Sequence, residues 1–195
     1  MDWVKKRKVY LEIAEEVESF LQQDKYDMSI EDLLNVLVIA SGPQRGPAME
    51  KFFVDSGYYS SKVPAKEGRG DLTNGTIYDE LKVRFLPDAD IKRGKLHSAG
   101  QIRLWEKVDN YLMVTVNKDT LEYFIYYIPK ADYKQLVLSR TVRFSSSHVK
   151  GNSQLLRENP EMVDKLEISS EFNAKDYDWS KYLISLKELK EKVAS

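Results

Sequence analysis

The sequence predicts an α/β fold: a central mixed β-sheet flanked by helices, with a helical N-terminal segment. Three observations carry this expectation. Residues 68–85 read as two strands joined at Asn74-Gly75, a dipeptide suited to a turn with positive φ. Residues 111–116 and 121–128 are rich in strand formers, with Asn117-Lys118-Asp119 as their turn. Apolar residues at helical spacing mark both ends of the chain.

Taken in order, residues 3–24 carry Val9, Ile13, Val17, Phe20 and Leu21 at helical spacing with Glu and Lys between them. Ser29, followed three residues later by Asp32, caps a second helix. Its run from Leu33 to Ala40 is too continuous for a surface helix, so it is expected to be buried. The stretch from Ser41 to Pro47 reads as punctuation, followed by a third helix to Asp55 that Gly57 stops. Residues 62–69 form a basic approach to the hairpin, and the strand beginning at Thr76 follows it. Residues 87–97 read as a charged surface loop, and residues 100–105 as the start of a short helix. After the two strands, residues 129–136 are a helix or turn that turns Tyr133 and Lys134 outward. Residues 139–154 form a strand and polar loop. From Asp178 to Val193 a helical stripe of Trp179, Tyr182, Leu183, Leu186, Leu189 and Val193 closes the chain, expected to dock on its own domain.

Composition sets bounds. The 195 residues are 42% apolar and 11% aromatic, which suits a globular chain with a real core. One domain is expected, with residues 1–40 as its helical start, 41–138 as the catalytic core and 139–195 as a DNA-contact segment and closing helix. The absence of cysteine excludes disulfides, thiolate catalysis and Cys-ligated metal sites. No signal peptide and no bilayer-length apolar run are visible, so a cytoplasmic protein with no membrane partner is expected. No Gly-x-Ser-x-Gly, Walker loop or Gly-x-Gly-x-x-Gly occurs, and the two histidines are too few for a His–metal nuclease. The net charge of −1 does not announce a nucleic-acid binder, but a local basic cleft would suffice.

The chemistry concentrates in the hairpin. Along residues 76–85, Ile77, Leu81, Val83 and Phe85 fall on one face, and Tyr78, Glu80, Lys82 and Arg84 on the other. Glu80 and Lys82 thus lie side by side, and the hairpin brings Asp71 near them. Two carboxylates and an ammonium on adjacent strands suit a divalent cation beside a phosphate. Asp79 is the exception, an acid on the apolar face.

Asp71…Glu80-Leu81-Lys82 resembles the Asp…(Asp/Glu)-x-Lys motif, PD-(D/E)xK, of the restriction-endonuclease-like nuclease superfamily. The resemblance implies a restriction-endonuclease-like core and Mg²⁺-dependent hydrolysis of DNA, with Asp71 and Glu80 holding the metal and Lys82 activating water. It further implies that Glu50, on the helix ahead of the hairpin, supports the site. Gln101, four residues before Trp105, is similar to the Gln of a Gln-x-x-x-Tyr helix in some of these nucleases, with Trp in place of Tyr. The compact size looks most like a type II restriction endonuclease: a homodimer on a short palindrome in double-stranded DNA, paired with a protective methyltransferase. Arg45, Arg69, Lys92 and Arg93 are candidate phosphate contacts. Arg140, Arg143, His148, Lys150, Asn152 and Gln154, in a stretch almost free of acids, are the candidate DNA-reading set. Two alternatives stand beside this reading: a non-catalytic nucleic-acid-binding or interaction module with a merely charged hairpin, and a structure-specific repair or phage nuclease of the same fold.

Overall fold

A computed structural model describes residues 3–144 and 150–194. It is an α/β fold built on a mixed six-stranded sheet with flanking helices. Strands Ser61–Lys62 (β1), Leu72–Thr73 (β2) and Tyr78–Leu86 (β3) form an antiparallel run. Asn110–Asn117 (β5) lies parallel to β3, Tyr123–Pro129 (β6) antiparallel to β5, and Leu183–Ile184 (β9) closes the order β1-β2-β3-β5-β6-β9. Lys95–Arg103 (β4), Glu167–Asn173 (β8) and Arg143–Phe144 (β7) form a second, three-stranded sheet in the order β4-β8-β7.

Side-chain alternation on β3 and β5 assigns the two faces of the large sheet. Leu81, Phe85, Leu112, Val114 and Val116 face a core formed with helices Trp3–Leu21 (α1), Ile30–Leu37 (α2), Gly42–Asp55 (α3) and Leu186–Ala194 (α7). Tyr111 and Met113 face a second core with the small sheet and Lys130–Leu138 (α5). Glu80, Lys82 and Arg84, paired in register with Tyr111, Met113 and Thr115, sit on that second face.

Several local expectations hold. Ser29 caps α2, its side chain accepting from Asp32 N at 3.1 Å, and Leu33, Leu34 and Leu37 are fully buried, but the helix ends at Leu37 and Ile39 beyond it is exposed. Gly57 follows α3 with φ of 71°, the left-handed geometry that glycine tolerates. Others are corrected. Ser41–Pro47 is not punctuation: Ser41 and Gln44 make a capping box, Pro43 fits the first turn, and α3 starts at Gly42. Residues 87–97 hold a short helix, Asp88–Lys92 (α4), and the start of β4. Strand β3 starts at Tyr78, because Asn74 Oδ1 accepts from Thr76 N and Ile77 N and holds a wider turn. Tyr133 points inward and is fully buried, its hydroxyl 2.5 Å from Ser170 Oγ. The closing stripe is not one helix: a 3-10 turn at Trp179–Tyr182 seals the second core, β9 intervenes, and α7 seals the first. It does dock on its own chain.

Candidate active site

The site begins with a backbone constraint. Gly70 has φ of 84°, and a Cβ there would lie 2.7 Å from Asp79 O. Only glycine lets the chain pass this close, so Asp71 N can donate to Asp79 O at 2.9 Å. Gly70 thus has a structural role within Arg69-Gly70-Asp71. The Asp71 carbonyl accepts from Val63 N at 2.8 Å, and its carboxylate Oδ2 accepts from Leu81 N at 2.9 Å. The Asp71 side chain therefore continues the ladder along β3 past the end of β2.

That arrangement sets Asp71 beside Glu80 and Lys82. Lys82 Nζ donates to Glu80 Oε1 at 2.5 Å, and both side chains are largely buried. Burial first, then the neighbouring Glu80, pushes the Asp71 carboxyl well above the ordinary carboxylate range; Glu50 adds to this, while Lys82 and the Leu81 N–H oppose it. Glu50, on α3, is thus within electrostatic reach of the cluster, and its Oε2 pairs with Lys62 Nζ at 2.7 Å. The hairpin sets Asp71, Glu80 and Lys82 side by side, and Glu50 on the helix before it acts on Asp71 electrostatically.

Asp79 faces the apolar side without a register shift. Its Oδ2 accepts from Tyr59 OH at 2.5 Å and its Oδ1 from Asn110 Nδ2 at 2.8 Å. Burial pushes its carboxyl up to about 6, and these hydrogen bonds oppose the rise. The network ties β3 to β5 directly beneath Glu80.

Gln101 corrects a sequence expectation. It lies in β4, not on a helix, and Trp105 follows in a turn. The β4–β8 register shifts between Ala99 and Ile102, and Gln101 is held there at φ of 56°. The helical reading failed because the apolar signal, Ile102 and Leu104, has period two. The bulge nevertheless brings Gln101 to a cleft of about 600 Å³ that Lys82 also lines, together with Arg45 and the first turns of α3. Arg45 is anchored rather than free: its Nε and an Nη donate to Leu37 O at 3.0 Å and Val38 O at 3.1 Å, and its guanidinium lies 4.3 Å from the Phe85 ring centre.

The expected DNA contacts are placed as follows. Arg69 stacks on Tyr78 at the hairpin, 5.3 Å from its ring centre. Lys92 pairs with Asp88 at 2.6 Å, and Arg93 with Asp90. Arg143 grips Asp176 with two nitrogens, at 2.5 and 2.7 Å. Lys92, Arg93 and Arg143, from segments far apart in sequence, line one cleft of about 680 Å³ with Lys175. Arg140, at φ of 62°, donates to Arg157 O at 3.2 Å. Lys150 and Asn152 lie in Lys150–Glu158 (α6), and Gln154 in the same helix donates to Glu158 at 2.8 Å. His148 lies outside the described residues. Of the candidate DNA contacts, Lys92, Arg93 and Arg143 are each paired with an aspartate, Asp88, Asp90 and Asp176 respectively.

Two cations near the site were passed over in sequence. Lys62 reads as part of a basic stretch, yet it pairs with Glu50. Arg84 reads as polar-face filling, yet it lines the cleft. Its signal is its phase with Glu80 and Lys82.

The donors beside Asp71 are hard carboxylate oxygens that repel one another, a set suited to Mg²⁺. Among the described residues no three His, Cys, Asp or Glu side chains form a ready metal cage. Two carboxylates and waters match the usual coordination of Mg²⁺. Among the described residues, no helix is long and apolar enough to cross a membrane. Comparison with known protein families finds no match, and comparison with curated proteins finds none.

Proposed function

We propose that this chain is a Mg²⁺-dependent endonuclease of restriction-endonuclease-like build that hydrolyses phosphodiester bonds in double-stranded DNA. The observation that supports it most is the clustering of Asp71, Glu80 and Lys82 on the hairpin, with Glu50 of α3 within electrostatic reach of Asp71. Asp71 and Glu80 hold the cation, and Glu50 adds negative charge to the cluster. When bound, the metal supplies charge neutralisation at the phosphate. Lys82 orients the attacking water through its ammonium protons and offsets the charge that gathers on the phosphoryl oxygens. Water oxygen bonds to phosphorus and gives up a proton to solvent, the P–O ester bond breaks, and the leaving oxygen takes up a proton in return.

A type II restriction enzyme, partnered by a methyltransferase, fits the compact size. Cutting both strands of a palindrome is simplest with two copies about a two-fold axis. Leu11 on α1, Ile39 in the turn after α2 and Leu183 on β9 are exposed apolar residues that a second copy could cover. The aspartates that neutralise Lys92, Arg93 and Arg143 favour a second reading, a nuclease that acts on DNA structure rather than sequence.

Purified protein incubated with plasmid and with branched DNA, with Mg²⁺ or EDTA, tests both. Asp71→Asn and Glu80→Gln should each lower Mg²⁺-dependent cleavage by several orders of magnitude with folding intact. Full activity in either variant ends the reading. Light scattering with and without DNA tests the dimer. A strict monomer that cuts only branched DNA supports the second reading.

A further inference from the structure

Beyond Asp79, strand β3 has an open edge, because β2 ends at Leu72 opposite it. The backbone of even-numbered residues turns toward β5: Tyr78 O accepts from Asp109 N and Leu86 O from Lys118 N. Odd-numbered residues turn the other way, as Asp79 O and Leu81 N do in bonding Asp71. By the same alternation the N–H groups of Val83 and Phe85 face the open edge. No described residue accepts from them.

These two residues line the cleft of about 600 Å³ that starts at Leu81, beside Asp71, and runs along β3 to Phe85. Its charged lining residues are Arg45, Lys82 and Arg84, and no acid is among them. Arg45 is held by neutral carbonyls, so its charge stays uncompensated. Arg84 is exposed, and no described side chain hydrogen-bonds or ion-pairs with it. In a chain of net charge −1, where most cations near the site have a carboxylate partner, this cleft is locally positive. Opposite β3, Gln101 at the bulge lines the same space.

We propose that this cleft seats the phosphate next to the scissile one on the same DNA strand, with Arg84 as its anchor. The inference rests on the nuclease reading and names a positioning residue for it. Residues two apart on a strand are separated by about 6.6 Å. That is close to the step between successive phosphates, so Lys82 and Arg84 match consecutive phosphates of one strand. The guanidinium offers paired N–H donors to phosphate oxygens. The outward N–H groups of the strand edge add neutral donors that no acid blocks.

The test is fluorescence anisotropy of the full chain with a labelled duplex oligonucleotide in EDTA, titrated with salt, beside steady-state cleavage in Mg²⁺. Arg84→Gln should weaken binding about tenfold, as for a lost hydrogen bond to a charged group. It should also lower the slope of log affinity against log salt by about 0.9. KM should rise more than kcat falls, and Arg84→Lys should recover part of the loss. Wild-type affinity and salt slope in Arg84→Gln, with wild-type protein binding and cutting DNA, overturns the anchor alone. A fall confined to kcat overturns it too. Wild-type protein that neither binds nor cuts DNA overturns the nuclease reading, and the anchor with it.

Discussion

Replacing His97 should flatten the acid limb of stability. His97 is fully buried between the two sheets, and the structure fixes its tautomer. Thr115 has one hydroxyl proton and donates it to Leu96 O at 2.6 Å, so His97 Nδ1–H donates to Thr115 Oγ1 at 2.7 Å. Nε2 is then a bare acceptor with no partner among the described residues. Burial, followed by the positive charges of Arg84, Lys82 and Lys95, lowers this imidazole from an ordinary 6.5 to about 3. Because the folded pKa is depressed, the contribution to stability is fully present above 6.5 and is lost as the pH falls toward 3. Within that window the unfolded chain binds a proton that the folded chain refuses, at about 1.4 kcal/mol per pH unit. Lowering the pH from neutral to about 4.5 should therefore cost about 2–3 kcal/mol through this residue alone. Urea unfolding of wild type and His97→Gln across this range measures it, since groups common to both cancel in the difference. The variant starts less stable at neutral pH, having lost packing against Phe172, and the two curves converge on acidification. Parallel curves would refute the reasoning.

Two further outcomes follow from the geometry. Gly70→Ala should cost about 2–4 kcal/mol in stability, because a methyl 2.7 Å from Asp79 O meets backbone that cannot move aside; thermal unfolding reads the cost, and Mg²⁺-dependent cleavage should fall with the displaced Asp71. Alanine at Arg140, Arg143, Asn152 and Gln154 separates base reading from phosphate contact: a base reader costs about 1–3 kcal/mol at one base pair, and a phosphate contact weakens all sequences alike. No change in DNA affinity for any of the four moves recognition to other segments of the chain.

What was legible in the sequence was local. The hairpin could be read because Asn74-Gly75 and the alternation of Leu81, Val83 and Phe85 lie within a few residues of one another. The cap at Ser29 involves only Asp32. The rest depended on distant partners. Strand β8 has the sequence Glu-Ile-Ser-Ser-Glu-Phe-Asn and looks like a polar loop, yet Ser169 and Ser170 are fully buried. Only pairing with β4 and β7 makes it a strand, and no local signal announces that pairing. Residues 100–105 differ: Ile102 and Leu104 carry a local period-two signal for a strand, and only the register of β4 depends on β8. In the site, Asp71, Glu80 and Lys82 were accessible through phase and turn. The neutralised state of Arg143 was not, because Asp176 lies on another segment.

The position of β4 in the small sheet has a consequence for the order in which the molecule is made. The Asp71–Leu81 hydrogen bond closes a loop of 10 residues, whereas Arg103 on β4 reaches Glu167 across 64. Loop-closure entropy grows with length, and long-range pairings form slowly. A chain still emerging from the ribosome can close the hairpin and gather its carboxylates before residue 167 has been added. At that stage β4 has no β8 to pair with, so the Gln101 side of the cleft has no support. The carboxylate hairpin is an early structure, and the Gln101 side of the cleft is a late one, finished only once β8 has been made.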